Sequence, residues 1–287
     1  MRGGRLGLVA VALLAVAAPL GLASAKSSTK GTSTAKALRK AKWASNVSVS
    51  VGGGKMTWRS NGIPNAGVLS EYAVPSGGAM GNPSPSNSHA ASSSQAVKSQ
   101  DYNFSITTSP RKLKKTTAAP LGAIGVMISG AVLFNPYEAD NTTAALAANF
   151  TVKNSSGNDV PFIDPCNGHP NPTGQYHYHG LPPCVTAQVD KANGPSHIIG
   201  VAFDGFPIYG DRNIKGKQVT ASQLDACNGI TSKTPEFPKG IYHYVLLNVA
   251  SPRSSLNCLH GSFTRAAASA VRRQVLYCAL HTNKRFR

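Results

Sequence analysis

The feature that most constrains the fold of this 287-residue chain is a pair of matching segments in its second half. The first runs Asp164-Pro165-Cys166-Asn167-Gly168, then Gly174-Gln175-Tyr176-His177-Tyr178-His179. The second runs Asp225-Ala226-Cys227-Asn228-Gly229, then Gly240-Ile241-Tyr242-His243-Tyr244. Each is Asp-x-Cys-Asn-Gly, a Pro-containing loop and Gly-x-Tyr-His-Tyr, at offsets of 61 and 66 residues. Agreement at eight positions marks an internal structural repeat, so the fold must accommodate one small unit twice.

Each copy can be read chemically. Asn and Gly tolerate positive φ, and an Asp side chain accepts nearby backbone N–H groups, so Asp-x-Cys-Asn-Gly is a tight turn. The Cys gives that turn a covalent anchor. Tyr-His-Tyr-His is β-prone and alternates faces, which puts Tyr176 and Tyr178 on one side and His177 and His179 on the other. Imidazoles at i and i+2 stand about 6.5 Å apart at Cβ, from a rise of roughly 3.3 Å per residue. They can converge on one ion, and imidazole suits zinc and copper. If the repeat is a pseudo-two-fold, His243 faces the same centre as His177, although Val245 replaces the second histidine. Three His ligands with an open position form the pattern of a reactive site. The competing reading is a polar core network in which the same rings hydrogen-bond backbone or carboxylate.

The rest of the chain reads as short strands. Asn46 to Val51 and Tyr102 to Ile106 alternate with a period of two. Gly122 to Phe134, bounded by Pro120 and Pro136, is one or two buried strands turning near Ser129-Gly130. Asp140 to Ala148 reads as a short helix, and Ala-rich Phe263 to Leu280 as a terminal helix. The expected fold is all-β or β-rich and sandwich-like, with short helices and a C-terminal helix.

Charge is placed unevenly. The chain carries a formal +18, yet between Thr116 and Ala250 there are seven Lys or Arg and nine Asp or Glu. The excess lies in the flanks: a basic arm from Lys26 to Lys42, Arg111 to Lys115, and an acid-free stretch after Glu236. A nucleic-acid surface calls for basic residues interleaved with aromatics on a folded face. The flanks have few aromatics, so no nucleic-acid partner is expected, and the arm reads as a solvated segment suited to anionic cell-envelope polymers.

Residues 1–25 read as a signal peptide: Arg2 and Arg5, an apolar stretch from Leu6 to Leu22, then Ala23-Ser24-Ala25 with cleavage before Lys26. No later segment is apolar and long enough to span a bilayer. A secreted or extracytoplasmic protein is expected, in which cysteines pair. Spacing alone does not fix connectivity among Cys166, Cys184, Cys227, Cys258 and Cys278. Residues 26–43 read as a disordered basic linker, 44–261 as the folded domain and 262–287 as a basic Ala- and Arg-rich tail.

Together these motifs resemble the YHYH-domain family of exported proteins. The resemblance also takes in Ser60-Asn61-Gly62-Ile63-Pro64, Gly125 to Pro136, Ser196 to Gly210 and Cys258-Leu259-His260-Gly261. It implies export and a compact, disulfide-containing domain, and no settled activity. The motif order it supplies pairs Cys166 with Cys184 and Cys227 with Cys258, leaving Cys278 over. Within Ser196 to Gly210, Asp204 and Tyr209 are pocket candidates beside His197, as are Tyr176 and Tyr178 on the Tyr-His strand. Phe206, Pro207 and Ile208 read as a packed connection. His169 and His260 flank turn glycines and are candidate peripheral ligands, although their isolated position favours surface histidines. The expected ligands are His177, His179 and His243, with His197 nearby, for copper or zinc in a cell-envelope metal-binding protein. The alternatives are an exported enzyme using the same histidines and a non-catalytic structural or surface-binding module.

Overall fold

The computed structural model describes residues 33–65, 97–138, 140–146, 151–153, 159–161, 163–171 and 173–263. The expected signal peptide, the terminal helix beyond Phe263, and Cys278 lie outside these residues. Helix α1 (Ser33–Lys40) leads into an antiparallel three-stranded sheet of β1 (Val47–Gly52), β2 (Lys55–Ser60) and β3 (Tyr102–Thr107). Next come β4 (Thr117–Ala118) and the hairpin of β5 (Ala123–Met127) and β6 (Val132–Phe134), which turns through Ser129-Gly130 as expected. A small hairpin, β7 (Thr151–Lys153) with β8 (Asp159–Pro161), precedes β9 (Gly168–Pro170) and β10 (Tyr176–Tyr178). Helix α2 (Pro183–Val189) then leads to β11 (Ile198–Ala202), β12 (Pro207–Tyr209), β13 (Gly229–Ser232), β14 (Ile241–Val245) and β15 (Cys258–Leu259).

Eight strands form one sheet in the order β13-β14-β12-β11-β5-β6-β10-β9. Its centre is the antiparallel pair β5–β11, with Val126 opposite Val201, Gly125 opposite Ala202 and Met127 opposite Gly200. That register is symmetric about the Val126–Val201 pair under a shift of 75 residues. Outward on either side come an antiparallel neighbour, a parallel strand carrying Tyr-His-Tyr, and an antiparallel edge strand. The sheet is therefore two four-stranded halves related by a pseudo-dyad. The repeat begins earlier than the Cys turns, because Ile124-Gly125-Val126 and Ser129-Gly130 correspond to Ile199-Gly200-Val201 and Asp204-Gly205. Both central strands are buried along their whole length, which fits their unbroken small and apolar sequences.

Each face of the sheet has its own core. One buries Tyr176, Tyr178, Tyr242 and Tyr244 with Leu256, Leu259 and Val185 of α2. The other packs Val126, Val132, Val201 and Phe203 against Trp58, Phe104 and Ile106 of the three-stranded sheet, with Leu38 of α1. This gives the β-rich, sandwich-like arrangement expected. The hairpin turn at Gly205 requires glycine, since its φ is +89° and a Cβ there would collide with the Thr107 carbonyl.

Two expectations change. The arm expected to be disordered over 26–43 contains α1, whose Thr34, Ala35, Ala37 and Leu38 are buried. An apolar face four residues deep suffices to dock a short basic helix. Of the helix expected from Asp140 to Ala148, the described residues 140–146 instead form a turn closed by a Tyr137–Ala144 bridge, because Asp140 accepts from the backbone of Thr142 and Thr143. Such local bonds compete with helix.

Candidate metal centre

The two Cys turns are built alike. Asp164 Oδ1 accepts from the backbone N–H of Cys166 at 2.7 Å and Gly168 at 3.1 Å, while Oδ2 accepts the Tyr176 hydroxyl at 2.6 Å. Asp225 does the same for Cys227 at 3.0 Å, Gly229 at 2.8 Å and Tyr242 at 2.9 Å. Asn167 and Asn228 hold positive φ values of 58° and 61°, as the turn reading requires. The disulfides are Cys166–Cys184, tying the first turn to α2, and Cys227–Cys258, tying the second to β15. The second tyrosine of each strand meets the preceding hairpin. Tyr178 shares a hydrogen bond with Ser129 at 3.0 Å, and Tyr244 donates to Asp204 at 2.6 Å. The four tyrosines thus clamp the repeat from inside, and Tyr244 spends its hydroxyl on Asp204. Burial raises the Asp204 pKa even though Tyr244, Gly261 and Phe206 donate to it.

The histidines point to the opposite face. His177 and His179 meet there with His169, which is 4% exposed rather than at the surface. Antiparallel pairing of β9 with β10 places His169 directly across from His177. One ring nitrogen from each of the three lies within 4.8 Å of the others. Phe134 stacks on His177 with ring centres 3.9 Å apart. Each Nδ1 faces a backbone carbonyl: His179 that of Asn135 at 2.7 Å, His177 that of Gln175 at 3.2 Å and His169 that of Pro170 at 3.1 Å. A carbonyl only accepts, so this network assigns the proton of each ring to Nδ1 and leaves a lone pair on Nε2. Burial pushes His169 and His177 well below the usual imidazole range, with neighbouring rings adding to the effect, and lowers His179 to about 4. All three rings are neutral at pH 7, the form in which imidazole binds a metal.

The Nε2 atoms of His169 and His179 are 3.2 Å apart. Ligand nitrogens about 2.05 Å from a tetrahedral ion stand about 3.3 Å from one another. The His169–His179 spacing and the chemistry of the three donors therefore fit a metal ion, and the carbonyl-bound Nδ1–H groups are the outer contacts that orient metal-ligating histidines.

His243 does not join this centre. Its strand β14 is separated from β10 by four strands. Five spacings of about 4.8 Å make roughly 24 Å. The pseudo-dyad lies between the two histidines instead of bringing them together. At the position equivalent to the His cluster, Ile230 and Val245 replace His169 and His179. Tyr209 takes the place of Phe134 and packs edge-on against His243 at 4.9 Å. His197 is also in this second half, paired through Nδ1 with Glu236 at 2.8 Å. Glu236 also accepts from Tyr209 at 2.9 Å. His260 lies between the Leu113 carbonyl and Asp225.

The tyrosine clamp and alternating histidines coincide with a family match: the model described as YHYH protein covers residues 103–218 and 214–261. The chain belongs to the YHYH protein family. No curated protein and no solved structure matches it. In this YHYH protein the family tetrapeptide divides its work between faces, the tyrosines closing the core and the histidines entering the cluster. His169, only a peripheral candidate from the sequence and favoured there as a surface histidine, is a full member of the cluster. Its signal was the hairpin register, because a turn centred on Thr173-Gly174 sets Gly168 opposite Tyr178 and His169 opposite His177.

Proposed function

We propose that this protein binds one copper or zinc ion through Nε2 of His169, His177 and His179, and that it works outside the cytoplasm. The observation that carries the reading is the 3.2 Å approach of two Nε2 atoms whose rings both direct Nδ1–H at carbonyls. Facing lone pairs in a buried site repel unless a cation lies between them. The two disulfides support an oxidising compartment. Among the described residues no helix is long and apolar enough to cross a membrane. The signal-like residues 1–25 and the basic arm support export and contact with anionic envelope polymers. Three protein ligands leave a fourth coordination position, the arrangement an exported metalloenzyme would use.

The test is elemental analysis of the chain from Lys26 after reconstitution with copper or zinc. About one ion per chain is expected, lost in His177→Ala/His179→Ala and in His169→Ala, and kept in His243→Ala and His197→Ala. At a free ion concentration of about 100 times Kd, binding adds about 2.7 kcal/mol to stability. No bound ion in the wild type, or an ion retained by the folded double variant, makes the cluster a structural hydrogen-bond network.

A further inference from the structure

The second half has a cavity where the first half has its histidine cluster. Its volume is about 400 Å³, within the range of small-molecule sites. The floor is made of buried groups, Tyr209, Thr234, His243 and Val245. Arg212, Lys215, Lys217 and Lys233 line it and are solvent-exposed, forming a cationic rim. The concentration of charge is local. Of the seven Lys and Arg between Thr116 and Ala250, four line this cavity, and no carboxylate of the described residues does. The cavity lining is therefore net positive within a stretch where acids outnumber bases.

The floor polar groups have assigned roles. Glu236 accepts from the Tyr209 hydroxyl at 2.9 Å, so Thr234, 2.9 Å away, donates to Tyr209. His243 directs Nδ1 at the Ile241 carbonyl, 3.0 Å away. Glu236 is bonded to the Tyr209 hydroxyl and to His197 and does not itself line the cavity. Ile214, Val219 and Ile230 supply an apolar wall. A cationic mouth over an apolar wall and a hydroxyl-bearing floor fits a small organic anion, with its charge at the rim and its body inside.

We infer that this cavity, bounded by Arg212, Lys215, Lys217 and Lys233 above Tyr209 and His243, binds a small organic anion bearing a carboxylate or a phosphate. The site is independent of the metal reading, since it shares no residue with His169, His177 and His179. The two halves of the duplicated sheet then carry different ligands at equivalent positions.

Isothermal titration of the mature chain with glucuronate, glucose 6-phosphate and neutral glucose tests this. Saturable binding of at least one anion is expected, weakened about tenfold or more in Lys217→Ala/Lys233→Ala. It is expected to be unchanged in Lys114→Ala/Lys115→Ala, which removes the same charge from a flank cluster. Affinity falling steeply with added salt accompanies a charged rim. Which anion binds separates carboxylate from phosphate recognition. Equal weakening in both double variants overturns the site in favour of general attraction to a basic chain. Glucose binding as tightly as the anions, or no saturable binding of either anion at millimolar concentration, overturns it as well.

Discussion

Asparagine in place of each twin aspartate separates two sites that make the same three bonds. Asn keeps the Oδ1 acceptor for both backbone N–H groups and does not titrate. Burial pushes the Asp164 carboxyl up to about 6, in spite of hydrogen bonds from Tyr176, Gly168 and Cys166. Asp225 is more open, with 29% of its side chain exposed. Its partial burial pushes upward, but bonds from Gly229, Tyr242 and Cys227 and the nearby His260 outweigh that and hold it below the ordinary value. The consequences for stability have opposite signs. Asp164 holds its proton more tightly folded than unfolded, so its contribution is complete below about pH 3.9 and is lost as pH rises through about 6. That span is worth about 3 kcal/mol. The Asp225 contribution is present at neutral pH and is lost as pH falls below about 4. Urea unfolding with disulfides intact, from about pH 3.5 to about pH 7.5, reads both. Relative to wild type, Asp164→Asn is expected to gain about 3 kcal/mol as pH rises, whereas Asp225→Asn loses ground. Two variants that move in the same direction, or an Asp164→Asn difference that ignores pH, would refute the claim that burial decides between the twins.

Three further outcomes follow from the geometry. In thermal unfolding, Gly205→Ala is expected to cost about 3 kcal/mol or more, since positive φ and the Thr107 carbonyl both oppose a Cβ. Gly240→Ala, with similar φ but its nearest neighbour 3.5 Å away, is expected to cost about 1 kcal/mol. Asn228→Ala loses bonds to the Arg253 and Ser255 carbonyls and strains the turn, for an expected cost of about 2 to 4 kcal/mol. Asn228→Gly, which relieves the strain, should recover about 1 kcal/mol of that by the same assay. The two disulfides close separations of 18 and 31 residues. Replacing both cysteines of Cys166–Cys184 by Ser is expected to cost about 3 kcal/mol in urea unfolding, and the Cys227–Cys258 pair about 0.5 kcal/mol more.

Much of this was legible because period-two alternation has only two outcomes. Once Tyr176 and Tyr178 belong to the core, His177 and His179 must leave it together. The Cys turns were legible because Asn at positive φ and an Asp acceptor leave a fixed pattern of residue types. The earlier half of the repeat was not, because buried strands constrain volume and polarity more than identity: Ile128 stands for Phe203 and Leu133 for Ile208. Ser129 and Asp204 look unrelated until each is seen to meet a tyrosine hydroxyl. The meeting of His243 with His177 failed for a topological reason. The first strands of the halves, β5 and β11, pair at the centre, which sends the Tyr-His strands towards opposite edges. No local pattern reports that choice. Helix α1 was hidden by its charge, which is compatible with docking when four small or apolar residues share one side.

The β5–β11 pairing has a consequence for ancestry and assembly. A dyad through Val126 and Val201 is the symmetry of two identical chains meeting edge to edge, an isologous contact. A lone ancestral half would have presented that strand bare, a template for any other extended chain. Joining two copies through one backbone replaces a concentration-dependent encounter with an intramolecular one. It also releases the halves from identity. In a homodimer any substitution appears on both sides of the dyad, whereas in the fused chain one half can be altered while its twin keeps the original residue.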